Sequence, residues 1–344
     1  MLWELVHQNS SGLVAVTIKD IARQAGVSTA TVSKVLNRKD SVIGDETRQR
    51  VLSLARELNY TPNSLARSLV MRKSHVIGII VPDILNPYFT ELVRACDDAA
   101  RLRGYTTLVC NSEGIAENET AHLASFGGHR VDGILLAASD VVPDTELLDA
   151  LRIPLVCMDR EVGPVAQLVT TVDTDYRTGA FEATQHLIDK GHTRIAFLSG
   201  APHRSNTQIR LSGYKDALAQ AGIPFDAELV RCKEFQHRFG HQATLDLLDR
   251  TDFTAICCMN DMLAIGAMVA LRERGRRVPE DCAVIGFDNI YLSPLLEHPL
   301  STVDRRIAHS ARVATNALLD FLDDPERKVE AITIMPTVVS RTTT

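Results

Sequence analysis

From Ser74 onward, short apolar runs alternate with helical stretches, and few architectures accept that alternation. "HVIGIIVP", His75 to Pro82, is a nearly unbroken apolar run, as a strand buried on both faces requires. A helix over Pro87 to Gly104 follows, then the strand "YTTLVCN", a helix over Asn118 to His129 and the strand "DGILLAAS". A short helix, Thr145 to Leu151, leads to the strand "IPLVCMDR". After "LVTTVD" the alternation restarts with a helix over Arg177 to Lys190, the strand "RIAFLSG" and a helix over Gln208 to Ala221. A strand near Leu229 to Cys232, a helix over His241 to Leu248, "AICCMN", a helix over Met262 to Arg274 and "AVIGFD" complete the second set. Alternating βα units build doubly wound parallel sheets, and two sets imply two similar lobes. The expected fold is α/β, with ligands taken where strand-to-helix loops meet at the carboxyl ends of the sheets.

The stretch before Ser74 reads differently. Ile21, Ala25, Val27, Val32 and Val35 form an apolar set over a helix, a tight turn and a second helix. Ala22 is small where the helices cross, and Gly26 supplies the positive φ that the turn needs. Ser28 is a good N-cap for the second helix. That helix presents Thr29, Ala30, Thr31, Ser33, Lys34 and Asn37 away from its apolar stripe. Short polar side chains plus one long cation suit a helix in the major groove, where base edges carry a donor and acceptor code. Asp45 to Leu58 reads as a third helix with Gly44 as its N-cap, Val51, Leu54, Ala55 and Leu58 closing the core. Charge supports this division. Residues 1–73 carry 11 Lys and Arg against 6 Asp and Glu, net +5, whereas the remainder carries 26 against 37, net −11. A basic head on an acidic body fits a DNA-binding module, although the whole-chain charge of −6 alone argues against one.

A length of 344 residues calls for more than one core, and the 45% hydrophobic content is that of a globular protein. Met1 to Val16 has neither the basic start nor the cleavage site of a secretory signal, and reads as a disordered extension. No apolar run approaches the ~18 residues of a membrane span. The seven cysteines form no C-x-x-C and no zinc spacing, as expected of reduced thiols in a cytoplasmic protein with no metal or cofactor.

Tyr60-Thr61-Pro62-Asn63 followed by "SLARSLV" is a stop and restart too short for a stable isolated helix. It resembles the hinge of the lactose/galactose repressor family, and the resemblance extends over Thr17 to Arg341. It implies a helix-turn-helix domain over 17–62, a hinge over 63–73 and a two-lobed effector-binding and dimerisation core over 74–341. It also implies DNA contacts from Thr17, at the start of the pattern, through the second helix. Hinge helices would pair across a near-palindromic operator at Ala66, with Leu69 wedged between base steps, a known way of kinking a duplex. The expected molecule is a homodimer.

Residues at the strand ends are Asn86, Tyr88, Phe89, Asp159, Arg160, Arg210, Phe235, Asn260 and Asp288. Amides, carboxylates, guanidinia and aromatics together suit a neutral polyhydroxylated ring. Singly, each is as consistent with capping or a surface ion pair, and Asp261 reads as the N-cap of the helix that follows it. Jointly, the set resembles the sugar site of ribose-type periplasmic proteins, which implies a pentose or hexose between the lobes; Asp173 and Arg204 are added from that resemblance alone. One departure concerns "LSTVDRR", where many relatives carry Gln-Pro, so effector contacts at Asp304 to Arg306 are not carried over. An enzyme is disfavoured by the absence of G-x-S-x-G, P-loop or dinucleotide motifs. A plain solute-binding protein is disfavoured by the basic head.

Overall fold

A computed structural model describes residues 16–36, 42–58, 60, 73–139, 141, 143–160, 162–327 and 329–344. The chain divides into two compact units, Met1–Ser74 and His75–Thr344.

The first unit holds three helices, α1 (Ile18–Ala25), α2 (Thr29–Leu36) and α3 (Asp45–Glu57). The Asp20 carboxylate accepts from the Thr17 amide at 3.0 Å and the Thr17 hydroxyl at 2.7 Å, closing the first turn of α1. Gly26 ends α1 at φ 64°, where a side chain would be strained. Ser28 Oγ accepts from the Thr31 amide at 3.1 Å, so it caps α2 as expected, and Gly44 takes the N-cap of α3. Ile21, Val32 and Val51 are fully enclosed, with Ala22, Ala25, Val35 and Ala55 around them.

The second unit contains two six-stranded sheets. The first lobe is built from β1 (Val76–Val81), α4 (Pro87–Leu102), β2 (Thr106–Asn111), α5 (Ala116–His129), β3 (Gly133–Leu136), α6 (Thr145–Leu151), β4 (Leu155–Met158) and β5 (Leu168–Thr174). The second comprises α7 (Tyr176–Asp189), β6 (Ile195–Gly200), α8 (Ser205–Gln220), β7 (Val230–Lys233), α9 (His237–Arg250), β8 (Ala255–Cys258), α10 (Asp261–Glu273), β9 (Ala283–Asp288) and β10 (Ser301–Asp304). Strand order is 2-1-3-4-5 in one sheet and 7-6-8-9-10 in the other, so the lobes repeat one topology. Each order reverses beside its first strand, and the loops leaving β1, β3, β6 and β8 open at those switch points.

The C-terminal quarter departs from the simple alternation. After β10 the chain returns to the first lobe as α11 (Ile307–Asp323), whose Ala311, Ala314 and Leu318 share a core with Leu92, Cys96 and Ala100 of α4. A Cβ on Gly133 of β3 would lie 2.9 Å from Leu318, so glycine there lets α11 lie against the sheet. β11 (Ile332–Ile334) then extends the first sheet beside β5, and β12 (Thr337–Val339) pairs antiparallel with β10 in the second. Three chain crossings therefore join the lobes, near Asp175, Arg305 and Met335.

All seven cysteines are free, five buried and Cys110 and Cys232 half-buried. Among the described residues, no helix is long and apolar enough to cross a membrane.

Candidate ligand cleft and DNA-binding face

A cleft of about 460 Å³ opens where the two sets of strand ends face each other, within the range of small-molecule sites. The loop leaving β1 and the start of α4 supply Asp83, Asn86, Tyr88 and Phe89; the end of β2 adds Asn111 and Glu113. From the second lobe come Arg204, Asn206 and Arg210 at the start of α8, Glu234 and Phe235 after β7, Asn260 after β8, and Asp288 ending β9. Two residues from the chain crossings, Tyr176 and Arg305, also line the wall.

Arg305 organises the back of this cleft. It is 4% exposed and donates to Asp288 Oδ1 of the second lobe at 2.8 Å and Asp159 Oδ2 of the first at 2.5 Å. Its Nη2 also donates to the phenolic oxygens of Tyr88 and Tyr176, and its Cζ lies 4.0 Å from the centre of the Tyr88 ring. Tyr176 is shared with a second guanidinium, that of Arg210, 4.2 Å from the ring centre. Burial raises the Asp288 carboxyl despite the opposing charges of Arg305 and Arg210, and burial likewise raises both phenols. Asp159 (φ 53°), Asp288 (φ 123°) and Arg306 (φ 56°) hold backbone conformations costly for side-chain-bearing residues. Strain of this kind persists where surrounding contacts over-determine it, and it clusters at functional sites.

Asn86, Tyr88, Phe89, Arg204, Arg210, Phe235, Asn260 and Asp288, all anticipated from the sequence, line this cleft together. Several are already engaged. Asn86 caps α4 through the Tyr88 amide at 3.1 Å. Asn260 accepts from the Leu263 amide at 2.8 Å and donates to the Phe235 carbonyl at 2.9 Å. Asn260 is thus the N-cap of α10, a correction to the expectation for Asp261. Asp261 turns inward and accepts from the Ile290 amide and the Ser293 and Thr302 hydroxyls. Three expected ligand residues stand off the wall: Asp159 behind Arg305, Asp173 half-buried on β5, and Arg160. Arg160 is buried in a bidentate pair with Glu119 of α5, at 2.8 and 2.7 Å. With its guanidinium held by Glu119, Arg160 does not line the cleft. Tyr176 and Arg305 are the residues that sequence reasoning missed; the unusual "DRR" was the available signal.

In the first unit, Thr29, Ala30 and Lys34 of α2 are exposed, with Thr31 and Ser33 half-buried beside them and Thr17 exposed before α1. Asn37, Ala66 and Leu69 lie outside the described residues.

The profile of bacterial regulatory proteins of the lacI family matches residues 17–63, and that of a periplasmic binding protein-like domain matches residues 184–344. The HTH-type transcriptional repressor PurR of Vibrio vulnificus is 36% identical over 330 residues, covering 95% of this chain and 98% of its own. The chain belongs to the lacI family of bacterial regulatory proteins. Its fold is similar to that of the lac repressor dimer bound to operator and the anti-inducer ONPF, at TM-score 0.82 and 26% identity over 95% of this chain and 98% of that one. A lacI family regulator from Enterococcus faecium with bound ribose is 31% identical at TM-score 0.72, over 78% of this chain and 98% of that one. As a lacI family protein with its own helix-turn-helix unit, the chain is a DNA-binding transcriptional repressor and not an enzyme.

Proposed function

We propose that this repressor binds a near-palindromic operator as a cytoplasmic homodimer, and that a monosaccharide held between the two lobes sets its operator affinity. The observation that carries this reading is the cleft itself. It lies at the switch points of two sheets, its walls come from both lobes, and they carry aromatic rings as well as hydrogen-bonding groups. A ligand touching both lobes binds their closed arrangement better than an open one, and that difference in affinity is what linkage requires. The ribose bound by the regulator from Enterococcus faecium supports a carbohydrate ligand.

The test is a fluorescence-anisotropy titration on DNA upstream of the repressor's own gene, with and without a panel of pentoses, hexoses and nucleosides. Operator affinity should change with one of them and with few others. An affinity indifferent to every member of the panel would sink the carbohydrate reading.

The exposed face of α2 makes a second expectation. Lys34→Ala should weaken operator binding by roughly 1–3 kcal/mol and relax the preference at one base pair, because a lysine there reaches guanine acceptors. Equal losses on operator and random DNA would show that Lys34 meets only phosphate.

A further inference from the structure

We infer that the ligand is a hydroxylated carboxylic acid, a sugar acid rather than a neutral sugar, and that Arg210 receives its carboxylate. This rests on the carbohydrate reading above and narrows it.

Arg210 lies on the cleft wall, 4% exposed. Its Nη1 donates to the Met259 carbonyl, while its Nε is buried with no partner. Tyr176, Phe287 and Phe235 lie 4.2, 4.9 and 5.1 Å from its Cζ. Rings packed on a guanidinium offer it no in-plane acceptor, whereas its N–H groups all point in that plane. The carboxylate whose charge acts on it, Asp288, is taken by Arg305 at 2.8 Å, and among the described residues Arg210 makes no ion pair. Arg305 therefore holds one oxygen of the carboxylate nearest in charge to Arg210, and Arg210 makes no hydrogen bond to that carboxylate. A buried guanidinium left this way is strongly stabilised by an acceptor brought in from outside, best of all a charged one.

The helix that carries Arg210 adds to this. α8 begins at the same wall, and its first turn contains no acidic residue. The amides of that turn and the helix dipole favour negative charge there. The half-exposed Asp83 and Glu234 and the exposed Glu113 also line the cleft. These carboxylates are natural acceptors for hydroxyl groups and poor neighbours for a second anionic group. One negative charge at Arg210 and a hydroxylated remainder satisfy both sets of groups, as a phosphate dianion would not.

Calorimetry on the full-length protein should compare glucose and galactose with their uronic acids, aldonic acids and 6-phosphates. At least one acid should bind about tenfold or more tightly than its neutral parent, as expected for a charge-assisted pair. Arg210→Gln should erase that preference. Arg305→Gln should release Asp288 to pair with Arg210 and so lower acid affinity; circular dichroism and thermal melting establish that both variants are folded. A neutral parent that binds as tightly as its acid overturns this inference and leaves the carbohydrate reading standing. A 6-phosphate that binds better than either acid overturns the carboxylate assignment. Failure of every sugar, acid and phosphate to bind overturns this inference, while the carbohydrate reading falls only if the pentoses of the anisotropy panel fail as well.

Discussion

A buried guanidinium is tolerated where its donors are taken, and Arg305 meets two carboxylates and two phenols from segments 17 to 217 residues away. Arg305→Ala would leave Asp159 enclosed without its counter-ion and Asp288 with Arg210 alone, a loss on the order of 3–5 kcal/mol that urea denaturation would register. A loss below about 1 kcal/mol would mean that water or a shifted side chain replaces the guanidinium. Asp261 gives a pH-dependent counterpart. Burial, with the nearby Asp288 charge, lifts its carboxyl from 3.8 to about 7. An acid raised on folding contributes stability that is full below its unfolded value and is lost as pH rises through the folded one. Asp261→Asn should flatten that decline between pH 4 and 7, read as the difference in urea midpoints between wild type and variant. Seven of the residues that line the cleft were legible in the sequence because each lies at a strand end or in the helix beyond it, and Arg204 came from the family resemblance alone. Arg160 stands off the wall because Glu119, its neighbour only in the folded chain, takes its guanidinium. Of Arg305 the sequence showed only the unusual "DRR", because its partners are adjacent only in the folded chain.

At the scale of the element, the alternation of apolar runs and helices located β1 to β4, β6 to β9 and their helices to within a few residues, since buried strands need continuous apolar sequence. The three-residue strands β11 and β12 are too short to show a period, and they belong to different sheets although two residues separate them. Gly133 is where one element's packing turns on a single atom. Gly133→Ala sets a Cβ within 3.0 Å of the Leu318 side-chain carbons, so α11 must shift or Leu318 must leave its rotamer. Overpacking of this kind costs typically ~1–3 kcal/mol. Leu318→Ala in the Gly133→Ala background should recover part of it, which a double-mutant cycle in urea would measure; strictly additive losses would place the strain elsewhere.

For the whole molecule, regulation requires that the ligand and the operator each bias the same change. The second unit has the means: three chain crossings join its lobes, and the Arg305 cluster fastens Asp159 of one to Asp288 of the other beside the cleft. A ligand contacting both walls alters how favourably the lobes close, and its coupling to operator affinity should amount to about 1–3 kcal/mol, or 5–150-fold. Linkage makes that coupling reciprocal for binding free energies. Anisotropy with labelled operator, at zero and saturating ligand, gives one side of the cycle. Calorimetry with ligand, on free and operator-bound protein, gives the other. Both should return the same factor, with the same sign. Arg305→Gln, which unties the lobes, should shrink it, since a loosened pair of lobes transmits less of the ligand's preference for closure. An undiminished factor in a folded Arg305→Gln protein would show that closure is governed by the backbone crossings alone, and a wild-type factor of one would show that cleft and operator are not coupled.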